Sequence, residues 1–215
     1  MSYVPSYDPK QKKIVEEAEA FVQKEVRPFA GQFEENGALP RELIGKMAPK
    51  GFLSACFPAE YGGLGLDPVY YGFFTEEFGK GDASTRAILT VHTSLVGETL
   101  LRWGTEEQKK KWLPKMSSGE KIGCFGLTEP EVGTDAKSIR TSYRKEGDRY
   151  IINGTKKWIT LGNIADFFLI VTTGEKGVTA FLVEREMKGV KTTPIKGLLA
   201  GRAAHIALIE LENVE

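Results

Sequence analysis

Near Ser117-Ser118-Gly119-Glu120 the apolar residues change period, and that change confines the chain to a helical part followed by a β part. Before this point they recur at helical spacing. Asp8-Pro9 reads as N-cap and first-turn proline, and Ile14, Ala18, Phe21, Val22 and Val26 continue the stripe until Pro28. Leu43, Ile44 and Met47 mark a short second helix, strained by Pro49 and stopped by Gly51. The run Phe57-Pro-Ala-Glu-Tyr-Gly-Gly-Leu-Gly-Leu-Asp67 is too rich in glycine for either regular structure and reads as a loop. Asp67 then caps a third helix carrying Tyr70, Phe73, Phe74 and Phe78. A fourth spans Ser84 to Trp103, with Ile88, Val91, Leu95, Val96 and Leu100 on one side. Thr105-Glu-Glu-Gln108 has capping-box spacing and opens a fifth, ending near Met116.

After Gly119 the segments shorten and β-branched and aromatic residues increase. Ile122 to Leu127, Arg149 to Ile152, Lys156 to Thr160, Phe167 to Thr172, Thr179 to Glu184 and His205 to Leu211 read as strands. Gly-containing turns between them, Asn153-Gly154 as a hairpin among them, favour a small barrel or sandwich over βαβ units. The expectation is an α+β chain, with a helical domain at 1–118 and a β domain at 119–215. Glu210-Leu-Glu-Asn-Val-Glu215 stops directly after a strand, so a fragment of a larger fold is expected.

Charge narrows the function classes. With 29 Lys+Arg against 29 Asp+Glu there is no net field to gather a phosphate backbone, which disfavours general nucleic-acid binding. The strongest apolar run, Phe167 to Val171, is too short to cross a bilayer, and the first six residues have neither a basic nor an apolar signal region, so a cytoplasmic location is expected. Cys56, Cys124, His92 and His205 offer no metal-ligand spacing, and the cysteines read as buried reduced thiols. No local Cys/His or Ser/His pair supports nucleophilic catalysis, so any reactive chemistry must come mostly from a bound cofactor.

Two segments could hold one. Gly126-Leu-Thr-Glu-Pro-Glu-Val-Gly-Thr-Asp135 leaves a strand and offers backbone N–H groups and two hydroxyls, although alone it is also simply a good turn. In Asn153-Gly-Thr-Lys-Lys-Trp-Ile-Thr160, strand alternation puts Trp158 and Thr160 on one face, a flat ring beside a hydroxyl. Such a pair suits a planar heterocycle, while Trp158 alone reads as core. Neither a Gly-x-Gly-x-x-Gly nor a Gly-x-x-x-x-Gly-Lys motif is present, which disfavours a Rossmann dinucleotide site and a P-loop and is compatible with a flavin held by strands and loops.

These segments, together with Phe57-Pro-Ala-Glu-Tyr-Gly-Gly-Leu-Gly, Trp103-Gly-Thr-Glu-Glu-Gln-Lys and Glu212-Asn-Val-Glu215, stand in an order and spacing that resembles the acyl-CoA dehydrogenase family over essentially the whole chain. The resemblance implies a helical domain, a middle β domain and a C-terminal helical domain beyond Glu215. It implies FAD beside Phe125, Leu127, Thr128, Trp158, Ile159 and Thr160, with Gly133 and Thr134 near the flavin phosphates and the acyl-CoA. The implied reaction is α,β-dehydrogenation of an acyl-CoA thioester, with a carboxylate base that no residue of this chain can be assigned; Glu129 and Asp135 read as turn-holding residues. An electron-transferring flavoprotein is the implied acceptor and a homotetramer the implied assembly.

Val132 and Ala204 depart from the family pattern, where a small residue and a serine are usual, and put the detail of the pyrophosphate and CoA contacts in question. Arg86 resembles the arginine with which glutaryl-CoA dehydrogenases meet the distal carboxylate, and Thr90 shares its helix face. Glutaryl-CoA or another compact acyl-CoA is therefore the expected substrate, against the reading of Arg86 as an ordinary surface arginine. A non-catalytic acyl-CoA-binding or assembly subunit and an acyl-CoA oxidase are the competing functions.

Overall fold

In the computed structural model, residues 8–215 are described; the first six residues, on which the reading for targeting signals rests, lie outside them. The helices are α1 (Pro9–Phe21), α2 (Ala30–Asn36), α3 (Arg41–Met47), α4 (Pro68–Gly81), α5 (Ala83–Leu89), α6 (Glu98–Trp103) and α7 (Glu106–Ser117). Local chemistry starts four of them, α5 through Asp82, which accepts from Thr85 N–H (2.6 Å). Asp8 accepts from the N–H groups of Lys10 and Gln11, and Asp67 from those of Val69 and Tyr70. Thr105 and Gln108 complete the reciprocal capping box. None of the described helices is long and apolar enough to cross a membrane.

Two helices differ from expectation. The first passes from α1 into a π-helical turn (Val22–Val26) and a 3-10 turn at Pro28, and α2 follows where no helix was foreseen. The Ser84–Trp103 rod carries a π-helical stretch, Thr90–Gly97, between α5 and α6. At its ends Thr90 Oγ1 donates to Arg86 O (3.0 Å) and Thr99 Oγ1 to Leu95 O (2.6 Å), back-bonds of the kind that compete with the α-helical ladder.

The β strands are β1 (Gly123–Gly126), β2 (Ser142–Glu146), β3 (Arg149–Ile159), β4 (Phe167–Gly174), β5 (Gly177–Glu184), β6 (Val190–Pro194) and β7 (Ala207–Val214). They form one curled sheet in the order β1-β4-β2-β3-β7-β6, with β5 also on β4. β1 runs parallel to the first half of β4, while Ser142 of β2 pairs with Thr173 near its end. The neighbouring pairs β2/β3, β3/β7, β4/β5 and β6/β7 are antiparallel.

Asn153-Gly154 is not a hairpin: the two strands expected on either side of it are the single strand β3. Gly154 is required by a close approach. A Cβ there would lie 2.6 Å from Thr141 Cα, and its φ of 148° suits glycine. The hairpin turn is instead at Gly147, between β3 and the unforeseen β2.

The aromatic core of the helical part is Phe21, Phe52, Phe74 and Phe78. The same buried cluster continues through Ile122, just before β1, and through Cys124, Phe168 and Ile209 of the sheet. A second cluster stacks Trp112 on Phe167 with centroids 4.2 Å apart.

His92 joins the two parts. The Gly123 N–H donates to its Nδ1 (3.1 Å), which leaves the Nε2–H to donate to Met116 O (3.2 Å). Burial lowers its pKa to about 4, against the backbone bonds at both nitrogens. The neutral ring therefore contributes stability that is full above pH 6.5 and lost as pH falls toward 4, on the order of 3 kcal/mol. Denaturant midpoints should fall across that window, and an imidazole seen by NMR to titrate near its ordinary value would refute the assignment.

Candidate functional site

β1 and β3 place the predicted cofactor residues at neighbouring strand ends. Beyond β1, the carbonyl of Thr128 accepts from Lys157 N–H (2.8 Å). That of Leu127 accepts from Lys156 Nζ (3.0 Å). Residues 127 and 128 are thus tied to 156 and 157, which brings the Thr128 segment beside the Trp158-Ile159-Thr160 segment.

Trp158 does not follow simple strand alternation. Its φ is 62°, the β3/β7 register shifts between Lys156 and Ile159, and Leu161 is again at positive φ. The backbone thus turns the Trp158 ring outward, 48% exposed, while Ile159 points into the core. Thr128 and Thr160 are half-buried, and neither hydroxyl bonds another group among the described residues. Phe125 is half-buried against the second core cluster and Leu127 is half-buried. The turn after Thr160 is fixed by Arg185, which donates to Ala165 O and Gly162 O.

The loop from Glu129 to Thr141 is closed by an ion pair absent from the sequence reading. Lys156 is 0% and Glu129 5% exposed, with Nζ 2.7 Å from Oε1. The carboxylate also accepts from the N–H groups of Arg140 (2.7 Å) and Thr141 (2.9 Å). Burial pushes this carboxyl up, but those three donors win and hold it at about 2. Glu129 thus holds a turn, as expected, but as a buried ion. The available signal was a lysine four residues after the buried Ile152, in the apolar phase of a strand. Val132 faces inward, its N–H donating to Glu129 O, while Gly133 and Thr134 are exposed on the outer side of the loop. Asp135 accepts from the Ser138 hydroxyl and N–H.

Arg86 and Thr90 stand elsewhere, on α5 and the first π-helical residue. Arg86 is exposed, without an ion pair among the described residues, in a shallow groove against Gly72, Thr75, Glu76, Gly79 and Lys80 of α4, where Glu76 pairs with Lys80. The π-helical stretch that begins at Thr90 packs on β1. Both cysteines are protonated thiols: burial raises Cys124, and burial with the Glu98 charge pushes Cys56 up to about 12.

Residues 8–120 match the model of the acyl-CoA dehydrogenase N-terminal domain, and residues 124–214 that of the middle domain. The chain belongs to the acyl-CoA dehydrogenase family. It is 40% identical to a short-chain-specific acyl-CoA dehydrogenase of Clostridium acetobutylicum over 90% of its own length and 52% of that protein. The crystal structure of a glutaryl-CoA dehydrogenase from Mycobacterium smegmatis in complex with FADH2 superposes with a TM-score of 0.93 at 35% identity, covering 97% of this chain and 54% of the other. A chain from the work on the electron transferring flavoprotein of Acidaminococcus fermentans superposes at 0.92 with 35% identity, covering 99% and 57%. The chain therefore spans about half the length of the relatives it matches.

Proposed function

We propose that this chain is the cofactor-binding and thioester-binding part of an FAD-dependent acyl-CoA dehydrogenase, with a helical domain at 1–118 and a β domain at 119–215. The observation that carries this is the pair of half-buried, unpartnered hydroxyls of Thr128 and Thr160 beside the outward-facing Trp158, on strand ends locked together by the Lys157 N–H. That donor set fits a planar heterocycle with a polar edge. FAD, when bound, supplies the acceptor for the hydride that leaves the acyl β carbon.

Thr128 and Thr160 would donate hydrogen bonds to the ring edge, where fixed donors stabilise the charge that develops on reduction. Trp158 would cover one ring face and the half-buried Phe125 and Leu127 would shape the apolar wall beside it, while Ile159, whose side chain points into the core, would offer its backbone. Gly133 and Thr134 offer exposed backbone and hydroxyl donors to the pyrophosphate and the CoA ester. Glu129 is unsuited to abstract the α proton. A general base needs a pKa near the working pH and access to the carbon, whereas this carboxylate is buried, paired and held at about 2. The base is assigned outside this chain. A homotetramer in the cytoplasm passing electrons to an electron-transferring flavoprotein is the accompanying assignment.

For the substrate, the unpaired guanidinium of Arg86 favours a short acyl chain ending in a carboxylate, glutaryl-CoA or a compact analogue. Anaerobic addition of glutaryl-CoA to the native holoenzyme should bleach its flavin band; a native protein with no flavin band would refute the function. Arg86→Ala should lower kcat/KM for glutaryl-CoA by roughly 10- to 100-fold, the worth of one charged hydrogen-bonded contact, and leave butyryl-CoA within about twofold. Equal losses for both would remove the carboxylate role.

A further inference from the structure

Lys156 is fully buried in the strand that leads to Trp158, yet its ammonium serves no solvent and no surface partner. It donates to the carbonyl of Leu127 and to the Glu129 carboxylate, while the N–H of the next residue, Lys157, takes the carbonyl of Thr128. Two consecutive carbonyls at the exit of β1 are thus held by two consecutive residues of β3. The Glu129 carboxylate extends the brace across the loop to Arg140 and Thr141. An apolar pair could fill the same volume, but it could not satisfy the Leu127 carbonyl.

We propose that Lys156 is a positioning residue for the cofactor: through the Leu127 carbonyl and Glu129 it fixes the peptide that carries Thr128 and the 129–141 loop that carries Gly133 and Thr134. The inference rests on the flavin reading above, since Thr128, Gly133 and Thr134 are the groups that it orients. Lys156 touches none of the reacting atoms in this role. It sets where the donors stand before any ligand arrives, so the cofactor does not have to order the loop on binding.

The discriminating comparison is between the native holoenzyme, Lys156→Met, and the double variant Lys156→Met/Glu129→Gln. The single change leaves a carboxylate buried without its counter-ion and lowers the melting temperature. The double change removes both charges and recovers part of that loss, while the Leu127 carbonyl and one of the Arg140 and Thr141 N–H groups stay unpaired. FAD affinity in the double variant should nevertheless remain about tenfold or more below native, because the Leu127 carbonyl still lacks its donor. Amide exchange in residues 127–141 of the apoprotein should remain about tenfold faster. The turnover number should fall and KM for the acyl-CoA should rise with it, because the loosened loop carries Thr134 as well as Gly133. A double variant with native FAD affinity and native exchange in the loop would reduce the pair to a structural role and overturn the proposal, even if the single variant fails to fold. A native protein without a flavin band would instead fail the parent reading before any variant is compared.

Discussion

Phe52→Ala should cost about 3 to 5 kcal/mol, lowering the melting temperature by roughly 6 to 20 °C for a chain of this size. Phe52 is 1% exposed and meets Phe21, Phe74 and Phe78 with ring centroids 5.5, 5.3 and 5.8 Å apart, two of the three edge-on within 10° of perpendicular. The ring therefore joins α1 and α4 through the turn that follows α3. Truncation removes its burial and leaves a cavity between helices that cannot close without moving both. The edge-to-face contacts add to the loss, though not additively, because Phe74 and Phe78 also touch each other. Thermal melting of the two proteins is the check. A fall of less than about 3 °C would mean that the four-ring cluster is not what holds these helices together.

Glu129→Gln should destabilise by a similar amount, about 3 to 5 kcal/mol at neutral pH, since it strips the counter-ion from a buried ammonium. The cost has a limit: burial already pulls Lys156 below its ordinary value of 10.5, so it can shed its proton when the carboxylate is gone. The effect also has a defined pH window. With a folded pKa of about 2 against an ordinary 4.5, the carboxylate contributes stability that is complete above pH 4.5 and disappears as pH falls to about 2. Native and variant stabilities should therefore converge at the acid end, in a range below that of His92. Denaturant titrations of both proteins across pH 2 to 7 test this. Parallel curves would show that the Glu129 charge is not what Lys156 requires.

What the sequence made legible was what local chemistry decides. Asp8, Asp67 and Thr105 cap helices through bonds to residues two or three positions away, so their role is visible in a short window. The change of period near Gly119 is equally local, and it separates helices from strands correctly. Partners distant in sequence decided the rest. Asn153-Gly154 has turn composition, but Thr141 of a neighbouring segment dictates the glycine. β2, Ser-Tyr-Arg-Lys-Glu, exposes four of its five residues and so carries almost no apolar signal. Lys156 stands in the apolar phase of its strand, but its partner Glu129 lies 27 positions earlier and no short window joins the two. The residues expected around the cofactor at 125–128 and 158–160 were found on adjoining strand ends, but the alternation argument for Trp158 and Thr160 fails at the positive φ of Trp158.

The parallel pairing of β1 with β4 has a consequence for the order in which the molecule assembles. Gly123 pairs with Phe167, 44 residues later, so this contact must close a long loop before it yields any ladder bond. The β2/β3 hairpin lies wholly inside that loop and pairs through a tight turn, Glu146 with Arg149. The hairpin should therefore form first and β1 dock last, onto a surface that β4 completes. On a ribosome, β1 would have no strand to pair with until β4 has emerged, so the 127–128 segment that follows β1 could not take its final place beside residues 156 and 157 before then.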